Sequence, residues 1–417
     1  MYSWASIDSS ELGADSLNAA FLFTDVGEKL ISLENDIFVG RQLANLHATR
    51  DSALIRSFTK WADENKDLLP IIEKATQLPV CDFSRISNYY PSFNLASKQA
   101  MYFQKFVFLL LSNAWQYNEE SKFDSALVMY ESIFGILREF DTQQEQQYLS
   151  KLMEMMTISN VTQALYHQIR GIEHQNIEYF QALYFIVLSY LESRKSLEPS
   201  MYDECFQKID FQSMASRFSA DLLTRIPDLS ETDLERFINL ASMSAEKRYL
   251  EYTGQYYESV LRAFRRNKPS LADLSTKLDK YSVQIQSLPL SVAIHLGNFE
   301  GAAIRIGRLT GFTIGAVTKF DFSEAISAYY INDAELRLIL LLLDFKINDH
   351  YDLTMDLNNV YTDAFNSFRP LRVLESQEGE VRVYSYGPDK SDGHGKNLLF
   401  SVENIEQLED YDIGFEL

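Results

Sequence analysis

Turn-forming residues are scarce in this chain of 417 residues. It has 16 glycines and 9 prolines, about 6% of the chain where about 12% is usual. An all-β sandwich or barrel needs a turn roughly every ten residues, so that class is excluded, as are collagen-like and linker-like chains. Positive charge is also short: 38 Lys and Arg face 59 Asp and Glu, a net charge of −21. The one dense basic patch, Arg262, Arg265, Arg266 and Lys268, falls where a helix should end, and cations there complement the helix dipole. Binding a phosphate backbone requires clustered cations, so neither nucleic acid nor an anionic membrane surface is an expected partner. Cysteine is reduced to Cys81 and Cys205, with no CxxC or metal spacing. Two separate, partly buried thiols are expected. The longest aliphatic run, residues 338–343, is far short of the ~20 residues that span a bilayer. Residues 1–10 carry neither the basic nor the apolar part of a signal peptide.

What is present is apolar matter: 46% hydrophobic residues, with 28 Phe and 24 Tyr, enough for a large core. The spacing predicts helix after helix over residues 12–285. Segments 18–38, 52–75 (broken near Pro70), 97–118, 143–173, 177–194 and 199–225 read as helices. In the second half of the 97–118 segment, Phe106 to Leu111 are apolar all round, which predicts a central helix. The clearest stripe follows, with Phe123, Ala126, Leu127, Tyr130, Ile133, Phe134 and Leu137 at period 3.6. Together with the preceding helix it predicts a helical hairpin. The pairing of Ala114 and Tyr117 with Ala126 and Tyr130 has a tetratricopeptide flavour, but no second copy occurs at that repeat's period. Ser230 followed by Asp233 opens a long helix to about residue 266.

Ten of the 16 glycines lie after residue 296. Gly307, Gly311 and Gly315 recur every four residues. They predict either one edge of a closely packed helix or a glycine-rich loop. Asn332 reads as the cap of a helix to residue 347, with Glu335 at the capping-box position. After residue 368 the period becomes strand-like, at 369–374, 381–387 and 398–402, and the acidic tail 403–417 reads as ending in a short helix. The expected fold is mainly α: a multi-helical bundle or hairpin array over residues 1–328, then a small C-terminal helix and antiparallel β module over 329–417.

Catalytic signatures are few. There is no HExxH, GxSxG or phosphate loop. His167 and His174 are two helical turns apart, too far to share one zinc without a third element. Met153, Met155 and Met156 read as gap-filling core. Residues 386–397 stand apart, with Asp389, Ser391, Asp392 and Asn397 set among Gly387, Gly393 and Gly395. Calcium takes six to eight oxygens from carboxylates, amides and carbonyls, and glycines let a loop converge them. The same residue types also make an ordinary polar hairpin loop.

At this loop the chain resembles a known family. Asp363-Ala364-Phe365, Pro370-Leu371-Arg372, the run from Arg382 through Tyr384-Ser385-Tyr386-Gly387-Pro388-Asp389, and Ser391-Asp392-Gly393 look like the C-terminal segment of the major, G-type pseudopilins of type II secretion. That family's loop binds calcium. By matching positions the resemblance implies the Tyr386 carbonyl, Asp389, Ser391 and a downstream acidic residue as ligands, with Asp392 and Asn397 completing the candidate set. Ala364 replaces the family's proline, and Asn397 stands where its last Asp would be. The helical part resembles a group of membrane-anchored bacterial envelope proteins with this same ending, through Asn18-Ala19-Ala20 and the step Lys122 to Leu127. That likeness implies an N-terminal anchor outside residues 1–417 and an extracytoplasmic location, periplasmic or cell-envelope.

The expected function is non-enzymatic: a cell-envelope interaction or scaffold protein with an unidentified protein partner, stabilised by weakly bound calcium and free of any other cofactor. Two alternatives stand beside it, an envelope hydrolase with a site built from scattered residues and a tetratricopeptide-like cytoplasmic adaptor.

Overall fold

The computed structural model describes residues 18–30, 52–81, 93–140, 147–173, 175–206, 209–213, 216, 230–266, 299–317, 322–348, 361–366, 369–375, 381–387, 398–399 and 412–416. Among them are eleven α-helices: α1 (Ala19–Lys29), α2 (Ser52–Glu64), α3 (Leu69–Thr76), α4 (Phe93–Glu119), α5 (Phe123–Phe140), α6 (Gln147–Gly171), α7 (Ile177–Ser193), α8 (Glu198–Cys205), α9 (Glu231–Arg265), α10 (Phe299–Val317) and α11 (Ser323–Asn348). Four strands follow: β1 (Arg372–Glu375), β2 (Val381–Ser385), β3 (Leu398–Leu399) and β4 (Asp412–Glu416). The chain divides into two compact units, one formed by Met1–Leu197 with Ser327–Leu417 and the other by Glu198–Ile326. The junction at 197 has no counterpart in composition.

The first unit is built around two helices buried on all sides. Phe106 through Leu111 of α4 are each at most 3% exposed, and so are Leu338 through Leu343 of α11. α4 and α5 form the expected hairpin. Its turn closes in a Schellman-type end: Ser121 takes the left-handed conformation (φ 58°), and the Lys122 N–H donates to the Tyr117 carbonyl at 2.7 Å. α2 ends at Glu64, ahead of Pro70, and Asn65 closes it by donating both its N–H and its side-chain amide to the Trp61 carbonyl. Pro70 sits in the first turn of α3, where its missing N–H costs nothing.

The sheet has strand order β1-β2-β4-β3. β1, β2 and β4 are antiparallel, and the two-residue β3 adds parallel to β4. Val383, Ile413 and Phe415 form its buried face, and the Phe415 ring lies 5.1 Å from Tyr166 of α6. Two expectations need correction here. The tail closes as strand β4, not as a short helix, because Ile413 and Phe415 alternate toward the core. And β4 enters between β2 and β3, so the strands flanking residues 386–397 are not hydrogen-bonded neighbours. The helix read from Asn332 starts at Ser323, nine residues earlier. Asn332 and Glu335 therefore lie inside a helix and cap nothing.

The second unit centres on α9 and α10. α9 begins as its sequence predicts, with Ser230 Oγ accepting from the Asp233 N–H at 3.2 Å. Gly307, Gly311 and Gly315 lie on a helix, which settles the alternative of a loop. A Cβ on Gly307 would lie 2.2 Å from the Ala241 carbonyl oxygen, and one on Gly311 2.0 Å from that of Ala245. Gly315 faces Tyr252, and Arg236 pairs with Glu300. These contacts climb both helices in the same direction, so α9 and α10 run parallel. Ala241-xxx-Ala245 meets Gly307-xxx-Gly311, and the backbones touch.

Candidate functional site

The most concentrated chemistry among the described residues is a buried polar cluster in the first unit. Each contributing helix supplies it from a face that is otherwise apolar. On α6, Glu154 falls on the stripe of Ile158, Val161, Leu165 and Ile169, all 0% exposed, and is itself 0% exposed. Lys151, one turn earlier, reaches Glu154 Oε2 at 2.6 Å. From the last turn of α7 the Tyr190 hydroxyl donates to Glu154 Oε1 at 2.5 Å. Arg194, just beyond α7, brings Nε to 3.5 Å from the same oxygen, with its side chain 2% exposed. Its guanidinium stacks 4.3 Å over the Tyr329 ring and donates from Nη1 to the Tyr329 carbonyl at 3.3 Å. Burial opposes the charge on Arg194, but Glu154, Tyr190, Tyr329 and Asp333 around it raise its pKa overall. One anion, Glu154, thus serves two buried cations.

Glu335 on α11 extends the cluster. It is 0% exposed and accepts from Ser159 Oγ at 3.2 Å and Thr162 Oγ1 at 3.0 Å, both on α6. Burial pushes its carboxyl up to about 7, against the hydrogen bonds of Thr162, Asn332 and Ser159 and the field of Arg194. Neither Glu154 nor Glu335 touches solvent, so the cluster ties α6, α7 and α11 together and can take up or release a proton, but it presents no carboxylate to a substrate.

Sequence reasoning missed this cluster, although two signals were present. Glu154 interrupts an apolar stripe, and Glu335 sits between Ala334 and Leu336, next to the most apolar run of the chain.

Of the predicted calcium ligands, Tyr386 is described, while Asp389, Ser391, Asp392 and Asn397 lie outside the described residues. Tyr386 is buried and held on every side. Its N–H donates to Asp363 Oδ2 at 2.8 Å, its hydroxyl accepts from Arg369 Nη1 at 3.2 Å, and the guanidiniums of Arg369 and Arg372 lie over its ring. Asp363 Oδ1 also accepts the N–H groups of Phe365 and Asn366 at 2.8 and 2.9 Å. The Asp-Ala-Phe motif thus pins the chain before the sheet to the end of β2. Burial raises the Asp363 pKa, while its backbone N–H donors, Tyr386 first, lower it. Gly387, at φ 71°, then turns the chain out of β2 into the loop.

The remaining candidates are inert or dispersed. Neither Cys81 nor Cys205 is in a disulfide and both are buried, and burial pushes the Cys205 thiol up to about 12. Met155 is buried and Met153 packs against the main core, whereas Met156 is 59% exposed, so the gap-filling reading fails for Met156. His167 is lowered by burial and by Arg170, and His174 lies outside the described residues. Among the described residues, no three His, Cys, Asp or Glu side chains are grouped to hold a metal, and no helix is long and apolar enough to cross a membrane. The chain matches no family model, no curated protein and no solved structure.

Proposed function

We propose that this chain is a non-enzymatic scaffold of the cell envelope whose helices present side chains to a protein partner. The observation that supports this most directly is on α7. The exposed face of that helix carries Glu178, Gln181, Ser189 and Glu192, and among them it leaves Phe185 66% and Ile177 44% exposed, eight residues apart. Aromatic side chains are enriched at the cores of protein interfaces, and Phe185 offers one. The buried charges point the same way, since they are spent on joining helices.

Phe185→Asp tests the reading. The variant should keep the parent's helical circular dichroism and lose the partner that crosslinks to the parent in cells. An unchanged crosslinking pattern would remove the support.

Location and calcium belong to the same proposal. An envelope protein can use a weak calcium site, because sites with few charges bind at about 10⁻⁴–10⁻³ M. Asp363 and Arg369 already hold Tyr386 at the entrance of the loop. Calorimetry with millimolar calcium should show heat and a raised Tm in the parent and neither in Asp389→Ala. A reporter enzyme active only outside the cytoplasm, fused to the full-length protein, tests the location.

The hydrolase alternative draws on Glu335, whose carboxyl is poised near neutrality. Its complete burial counts against contact with a substrate.

A further inference from the structure

The surroundings of Glu335 ask for a proton. Thr162 Oγ1 lies 3.0 Å from Glu335 Oε2 and also 3.0 Å from the carbonyls of Ile158 and Ser159. A hydroxyl has one proton to give. Threonines inside helices commonly give it to the preceding turn; Thr162 then no longer donates to Glu335, and its lone pairs can accept the proton of the acid instead. Asn332 makes the same demand. Its Nδ2 is 3.4 Å from Glu335 Oε2, long for a hydrogen bond, and its buried Oδ1 has no hydrogen-bond partner. The two amide atoms exchange places by a flip, which would bring that oxygen to Glu335 and put Nδ2 in the place where Oδ1 now has no partner. A carboxylic acid O–H satisfies either group. A carboxylate takes the Ser159, Thr162 and Asn332 donors but leaves Asn332 Oδ1 without one.

The charged and titratable groups around Glu335 come from three elements. α6 supplies Lys151 and Glu154. The end of α7 supplies Tyr190 and Arg194. α11 itself supplies Tyr329 and Asp333, the latter paired with Arg337 at 2.9 Å. Lys151, Glu154 and Arg194 leave one positive charge in excess, which favours the carboxylate. The excess is shared with Glu154, so it does not cancel the cost of burying a second anion.

We propose that the folded chain holds Glu335 as the neutral acid, and that the α6–α11 contact binds one proton there and loosens when the proton leaves. The shift of the carboxyl from its ordinary 4.5 to about 7 agrees with this. A folded-state pKa raised above the unfolded one gives stability that is complete below 4.5 and is lost as pH rises through about 7. Above that the profile is flat again.

The test compares the full-length parent with Glu335→Gln, a neutral side chain of the same shape that carries both a donor and an acceptor. Across the window from 4.5 to about 7, the unfolding constant of the parent should rise relative to the variant by up to about tenfold per pH unit. The variant's other titrations cancel in the ratio. A constant ratio across the window would overturn the proposal. A second measurement needs no variant: carbon NMR of the parent labelled at the glutamate carboxyls, which leaves Asp363 silent. One glutamate should titrate near 7. If every glutamate titrates in the ordinary carboxylate range, the proposal fails.

Discussion

The two units of this chain solve the same problem, holding long helices together, by opposite means. In the first unit α6, α7 and α11 are joined by charge taken out of water: Glu154 between Lys151 and Arg194, with Glu335 bonded to two hydroxyls. In the second, α9 and α10 are joined by the absence of side chains, with Gly307 and Gly311 laid against the carbonyls of Ala241 and Ala245. The first device is sensitive to which polar atoms are present and tolerates changes of volume poorly only where the core is tight. The second is indifferent to polarity and is sensitive to a single added methyl. Buried charge gives orientation with little net stability. Close backbone packing gives dispersion contacts and demands small residues at both surfaces.

The contrast predicts a graded set of losses. Glu154→Ala should cost most, about 3–5 kcal/mol in denaturant unfolding, because it strands two buried cations. If the loss is under about 1 kcal/mol, the cluster is not holding the helices and the comparison breaks on the side of the first unit. Gly311→Val comes next. Its Cβ would meet the Ala245 carbonyl at 2.0 Å, and overpacking of this kind costs about 1–3 kcal/mol or more. Hydrogen exchange of α9 and α10 amides should accelerate, and unchanged protection there would break the second half of the comparison. Asp363→Ala should cost about 2 kcal/mol, since three buried or part-buried N–H groups lose their acceptor. Proteolysis near the C-terminus reads that loss. Arg236→Ala removes an exposed pair with Glu300 and should change stability by less than about 1 kcal/mol. A larger effect would mean that charge matters in the second unit too.

Much of the helical plan was legible in the residues. Ser230 with Asp233 marked the start of α9, and the run Phe106 to Leu111 marked a central helix, because capping and all-round burial are local signals. The glycine period marked a close approach but could not name Ala241 and Ala245 as the other surface, which lie some 66 residues away in sequence. β4 was read as the end of an acidic tail, since only Ile413 and Phe415 alternate there and acidic neighbours mask so short a pattern. Glu335 was read as a cap for a similar reason. An Asn followed three residues on by a Glu has the capping-box spacing, and only the upstream turn from Ser323 shows that the helix is already under way. Of the loop ligands, the structure describes Tyr386 alone, and there the Asp363 motif proved to be a backbone anchor. The buried ionic cluster left only single-residue signals, a Glu154 in an apolar stripe and a Glu335 beside an apolar run, because Glu154, Arg194 and Glu335 meet only once three segments have packed.

We propose that the buried charges build the fold while exposed apolar side chains meet the partner. Crosslinking in cells, comparing the parent with the quadruple variant Lys151→Met, Glu154→Leu, Tyr190→Phe and Arg194→Met, tests it most directly. Replacing a whole buried ionic group with apolar residues of similar volume is often neutral or stabilising. The variant should therefore fold and retain the parent's crosslinked partners. A folded variant that loses those partners would contradict the account, because the cluster would then be acting in function as well as in packing.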